Sequence, residues 1–223
     1  MTDTLKSSHP KQNYVPFIAM VYSSFQILAN LMGIKIVDIM GMTITAGLVV
    51  FPITYIISDI MTEVYGLKVA RRIIWYGLAT NLLFVLAALG ATALPPSKYF
   101  DNQAAFDAVF STTPRILLAS VMGYLAGEFS NATIVAKIKA AMHGKHFWLR
   151  ALLSTCVGTF LDSSIFCFIA FYTIYPTVLI AEMILIQCAI KFVYEVIALP
   201  ITYSITNYLK RVENSDVYDY AVT

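Results

Sequence analysis

The sequence predicts an all-α integral membrane protein, a bundle of six transmembrane helices with both termini cytoplasmic. Three observations predict it. Hydrophobic residues make up 59% of the 223 and charged residues only 13%, against roughly 45 to 50% apolar content in a soluble domain. The mean hydropathy is +0.73. The apolar residues fall into runs of the length a bilayer demands, since a core about 30 Å thick needs about 20 residues rising about 1.5 Å each.

The runs give spans at 15–34, 44–65, 69–94, 114–137, 147–174 and 178–208, separated by "KIVDIMG", "GLK", "PPSKYFDNQAAFDAVFSTTP", "KIKAAMHGKH" and "IYP". Each break carries Gly, Pro or charge. The domain division is a tail at 1–14, a transport domain at 15–209 and a second tail at 210–223. The first apolar run is too long for a signal-peptide core, so no cleavage is expected. "KIVDIMGMTITAG" alternates around a glycine and suits a short outer hairpin between helices 1 and 2, and "DNQAAFDAVF" suits a short interfacial helix. Pro52 in span 2 removes a backbone hydrogen bond and is expected to kink or open that helix. Gly123 and Gly127 form a GxxxG pair in span 4 that permits close helix contact.

Alternate breaks place Lys6, Lys11, Lys68, Arg71, Arg72, Lys137, Lys139, Lys145, Arg150, Lys210 and Arg211 on one side, and Lys35, Lys98 and Arg115 on the other. The positive-inside rule makes the first side cytoplasmic. A net charge of +2 gives no reason to expect nucleic acid. Cys156, Cys167 and Cys188 lack ligand or disulfide spacing, and His143 and His146 fall in a surface loop, so neither metal nor cofactor is expected. No HExxH or GxSxG occurs, and the chain does not read as an enzyme.

The polar layer is the informative part. Asp59, Glu63, Glu128, Asp162, Lys191 and Glu195 lie within spans, where each central charge costs about 2.5 to 3.5 kcal/mol on insertion scales. Counting down the helices puts Glu128, Asp162 and Lys191 at one level, about 18 to 21 Å below the outer ends. Asn81 and Gln26 can join it. Lys191, Glu195 and Gln187 share a helix face; the lysine can pair with Glu195, Asp162 or Glu128. Asp59 and Glu63 lie nearer the cytoplasm, where Glu63 could join Arg71 and Arg72 in an ion-pair network. Mixed donors and acceptors at one depth suit a small polar or zwitterionic solute in an apolar pocket.

Four stretches, "FPITYIISDIMTEVYGLKVARR" (51–72), "TPRILLASVMGYLAGEFSN" (113–131), "LRALLSTCVGTFLDSSIFCFIAF" (149–171) and "IKFVYEVIALPITY" (190–203), together resemble the bacterial queuosine precursor transporter family, also called the vitamin uptake transporter family. The resemblance runs from about 28 to 210. It implies six inner-membrane helices and import of 7-deazaguanine bases for tRNA queuosine salvage: 7-cyano-7-deazaguanine, 7-aminomethyl-7-deazaguanine or queuine. The family's polar positions fall on Asp59, Glu63, Glu128, Asn131, Asp162, Lys191 and Glu195. A carboxylate, Glu128 or Glu195, is expected to accept from the base edge. Lys191, Asn131 or Gln187 would donate to its carbonyl, and Phe51, Tyr55, Phe160 or Tyr194 would stack on it. Asp162 would hold Lys191 or relay a proton, while Asp59, Glu63, Asn81 and Arg72 would couple or gate. Partners are then the base and the lipid bilayer, with a homodimer possible. The alternative is a capture subunit of an energy-coupling-factor importer, although Ala19 and Ser23 form only one small-residue pair for such docking.

Overall fold

The computed structural model describes residues 12–33, 35–39, 42–110 and 114–219. The expected tail residues 1–11 and 220–223, with Lys6 and Lys11, lie outside them. The element order is α1 (Val15–Gly33), β1 (Ile36–Ile39), β2 (Met42–Thr45), a 3-10 turn (Ala46–Val49), α2 (Pro52–Tyr65), α3 (Leu67–Thr92), α4 (Gln103–Phe110), α5 (Pro114–Ala141), α6 (Phe147–Phe171) and α7 (Thr177–Glu213). By length and composition α1, α3, α6, α7 and the segment Ala46–Tyr65 can each cross a membrane. The sixth long helix, α5, has 28 residues but carries Arg115, Glu128, Lys137 and Lys139 among them.

The expected hairpin between helices 1 and 2 forms, with β1 antiparallel to β2 and Val37 facing Ile44. The short helix expected in "DNQAAFDAVF" forms as α4, with a Gln103 Nε2 to Asp107 Oδ1 hydrogen bond of 2.8 Å along it. Pro52 acts differently from the expectation. It is the first residue of α2, preceded by Phe51 in helical conformation and the 3-10 turn. At that position the missing N–H costs nothing and the fixed φ favours starting a helix, so it begins the helix and does not kink it. The proline that does sit inside a helix is Pro200 in α7.

α2 is the central element, buried along nearly all of its length even though Thr54, Ser58, Asp59, Thr62 and Glu63 are among the buried residues. It packs on α3, α5 and α7. α5 and α6 share the most extensive helix interface, and the expected glycine pair makes it. A Cβ on Gly127 would stand 2.7 Å from Asp162 Cβ and 2.9 Å from the Gly158 carbonyl, and one on Gly123 would meet the Asp162 carbonyl at 2.9 Å. Gly158 supplies the matching hollow on α6.

The outer surfaces of α1, α3, α6 and α7 are apolar, with Leu83, Leu86, Ile197 and Ile201 exposed. One end of the bundle, at α4 and the hairpin, is open; the other is closed by the chain's last described segment. There Ser215 Oγ donates to the Val64 carbonyl at 2.8 Å, the Val217 N–H to the same carbonyl at 3.4 Å, and Asp219 Oδ2 accepts from the Leu67 N–H at 2.7 Å. The Glu213 carboxylate accepts from the backbone of Asn13 and Tyr14. Residues 213–219 thus strap the start of α1, the end of α2 and the start of α3 together.

Candidate functional site

A cavity of about 520 Å³ opens between α1, α3, α5, α6 and α7 beneath α4. Its walls are mostly apolar and aromatic, including Phe51, Phe84, Phe166 and Phe171, with polar groups from Gln26, Asn30, Asn81, Ser120, Tyr124, Asp162, Gln187 and Lys191. This composition, and a volume between about 300 and 1,000 Å³, are those of small-molecule sites.

The polar floor comes from α6 and α7. Lys191 Nζ donates to Asp162 Oδ2 at 2.5 Å and to Ser163 Oγ at 3.1 Å. It also lies 4.9 Å from the centre of the Phe51 ring, which in turn stands edge-on to Tyr55 at 5.9 Å. Of the three partners open to Lys191, the structure selects Asp162. The pair thus places an ammonium beside a carboxylate at the cavity floor. Gln187 Nε2 reaches Cys167 Sγ at 3.4 Å. Gln26 Nε2 is buried without a partner. On the α1–α3 wall Asn30 Nδ2 donates to Asn81 Oδ1 at 2.7 Å.

The other expected residues sort into two further groups and a remainder. Glu128, Asn131, Asp59 and Glu195 are buried away from the cavity lining. Asn131 Nδ2 donates to Asp59 Oδ1 at 2.6 Å; Glu128 is faced by the hydroxyls of Ser58, Thr54 and Tyr22, and among the described residues both oxygens of Glu195 lack a partner. Glu63 belongs to the closed end, where it accepts from Arg150 at 2.6 Å and Lys210 at 2.6 Å, with Lys139 at 3.8 Å. Asp216 completes this cluster at 2.6 Å from Lys139 and 3.0 Å from Lys210. Burial pushes the Asp216 carboxyl up, but the hydrogen bonds from Lys139 and Lys210 outweigh it and hold the group below its ordinary range. Arg71 and Arg72 are not in this network: both are exposed, and Arg71 reaches Thr133 Oγ1 at 3.3 Å. Phe160 is 54% exposed on the outer face of α6, and Tyr194 is half-buried outside the cavity lining. Tyr55 lies below the lining, its hydroxyl against Gly127. The sequence reasoning missed Asn30, Ser120 and Arg150; Asn30 was detectable as an amide deep in an apolar run.

A family model described as "Putative vitamin uptake transporter" matches residues 45–205, well over half of the chain. The chain belongs to this family. The match contains every polar residue of the cavity floor and of the buried acidic layer. Among curated relatives, a "Probable queuosine precursor transporter" of Bacillus subtilis is 28% identical over 190 residues, covering 85% of this chain and 83% of the relative. The "Queuosine precursor transporter" of Escherichia coli is 27% identical over 61% of this chain and 59% of its own length. One from Haemophilus influenzae, also named "Probable queuosine precursor transporter", is 26% identical over 66% of this chain and 60% of its own length. No solved structure matches. The vitamin uptake transporter assignment makes the chain a multi-pass protein of the bacterial inner (cytoplasmic) membrane and a transporter rather than an enzyme.

Proposed function

We propose that the chain imports a queuosine precursor of the 7-deazaguanine class, bound in the 520 Å³ cavity. The observation that carries this reading is the Lys191–Asp162 pair at the floor of an otherwise apolar, aromatic-lined space. A guanine-like edge offers a carbonyl acceptor beside N–H donors. Lys191 Nζ would donate to the carbonyl while Asp162 accepts from the adjacent ring N–H and amine, which is complementary to the pair as it stands. Asp162 therefore takes the acceptor role that the sequence suggested for Glu128 or Glu195. Phe51 or Phe166 would stack on the rings, worth about 1 to 3 kcal/mol per base in other base-binding sites, and Gln26 and Gln187 supply amides for the far edge. The cyano and aminomethyl bases are both candidate cargo, and the amides are the groups that would separate them. The relatives' names support a self-contained transporter and do not favour a capture subunit.

In this reading α5 is the sixth span, carried through the bilayer by its seam with α6. The open end of the cavity is extracytoplasmic, because the strapped end holds Lys68, Arg71, Arg72, Lys137, Lys139, Lys145, Arg150, Lys210 and Arg211. Uptake of radiolabelled 7-cyano-7-deazaguanine into liposomes containing only this protein tests the reading. Wild type should accumulate label and Asp162→Asn should not; equal uptake by both, or none by wild type for any 7-deazaguanine, refutes it.

A further inference from the structure

Beneath the cavity three carboxyl groups from three helices are buried, and among the described residues no cation forms an ion pair with them. Asp59 on α2 and Glu128 on α5 are 0% exposed and Glu195 on α7 is 1% exposed. Lys191 is engaged by Asp162, and Arg150, Lys139 and Lys210 are engaged by Glu63 and Asp216. Among the described residues the ionisable groups facing the acids are Tyr22 from α1, Tyr55 and Glu63 from α2, Tyr124 from α5 and Asp162 from α6, none of them a cation, while Lys191 on α7 lies one helical turn from Glu195. An ionised carboxylate in such surroundings costs several kcal/mol; a protonated one does not. Among the described residues no group of His, Cys, Asp and Glu is placed to hold a metal ion. A second observation points to a proton path. The Tyr55 hydroxyl, buried and without a partner, lies against Gly127 beside Glu128 and close to Asp162, so it stands between the acids and the cavity floor.

We propose that Glu195 and Glu128, with the Asn131-bound Asp59 beside them, form a proton-binding site that couples import to the proton gradient, communicating with the cargo through Tyr55 and through Lys191. The inference rests on the transport reading for its cargo but not for its site. Lys191 lies one helical turn from Glu195. When the base engages Asp162 and accepts from Lys191, the pair's mutual neutralisation weakens and the field of the ammonium reaches Glu195 one turn away, so that the Glu195 O–H bond breaks; the proton is taken up by water at the strapped end and the carboxylate left behind is balanced by Lys191. Each proton carried in moves one positive charge with a neutral base.

Infrared spectra of the purified, lipid-reconstituted protein at neutral pH test the site without any cargo. Wild type should show the carbonyl band of protonated carboxylic acid, and Glu128→Gln and Glu195→Gln should each diminish it while melting within a few degrees of wild type, because the amide mimics the protonated acid. No such band, or a band unchanged in both variants, overturns the inference whether or not transport is found. The coupling is read in liposomes, where an inward proton gradient should stimulate wild-type uptake of 7-cyano-7-deazaguanine several-fold and leave Glu195→Gln unresponsive. Uptake that ignores protons or follows a sodium gradient overturns it, whereas no uptake accompanied by the infrared signature refutes the cargo reading alone.

Discussion

At the scale of residues, the site turns on Lys191 and whom it meets. Removing one member of a buried pair strands the other, at about 3 to 5 kcal/mol, while replacing both by apolar groups is often neutral. Lys191→Met should therefore lower the melting temperature of the purified protein and abolish uptake. Lys191→Met combined with Asp162→Leu should restore the melting temperature without restoring uptake, and a double variant as unstable as the single one would mean that the pair is held by more than charge. The sequence showed that Lys191 and Glu195 lie on one face, because helical periodicity is local. It could not show that the lysine turns to Asp162, because that choice depends on how α6 and α7 are rotated against each other. For the same reason Phe160 and Tyr194 were indistinguishable from Phe51 and Phe166 as aromatic candidates. Asp216 adds a pH prediction. Its carboxyl is held below the ordinary range, so its contribution is complete above the unfolded value of about 3.9 and is lost as pH falls through the lower folded value. Hydrogen exchange at 214–219 should stay slow near neutrality and quicken only in that acidic window.

At the scale of elements, a glycine in the α5–α6 seam and one on the open face of α3 carry opposite predictions. Gly127→Ala would force a methyl group against Asp162 Cβ and the Gly158 carbonyl, and overpacking of this kind costs about 1 to 3 kcal/mol. Gly90 in α3 has nothing within 4 Å of its added Cβ, so Gly90→Ala should stabilise by up to about 1 kcal/mol through helix propensity alone. Thermal melting of the two variants checks both signs. The five apolar spans and the glycine pair were legible because hydropathy and small-residue spacing are properties of one segment. The meaning of Pro52 was not, since the same ring kinks a helix interior and starts a helix at its first position. Nor was the strap, whose polar residues resemble any cytoplasmic tail until their bonds to the ends of α2 and α3 are seen.

At the scale of the whole molecule, the two ends differ: one is open to a cavity, the other is tied shut by residues that also hold Glu63 and its cations. Shortening the chain after Glu213 should remove Asp216 and the Val64 bonds together and make the closed end leak. A single cysteine at Thr206, which faces a cleft at that end, should then react faster with a membrane-impermeant thiol reagent added on the side of the strapped end in a background free of Cys156, Cys167 and Cys188; an unchanged rate would show that the strap does not seal the bundle. α7 runs 37 residues with Pro200 inside it, between Glu195 above and Lys210 below. A proline leaves the carbonyl four residues earlier without a backbone donor, so the lower third of α7 can pivot there without breaking a helical hydrogen bond. The helix is thus a lever whose short arm carries Lys210 and whose long arm carries Lys191, and a displacement at either end is felt at the other as a change of angle.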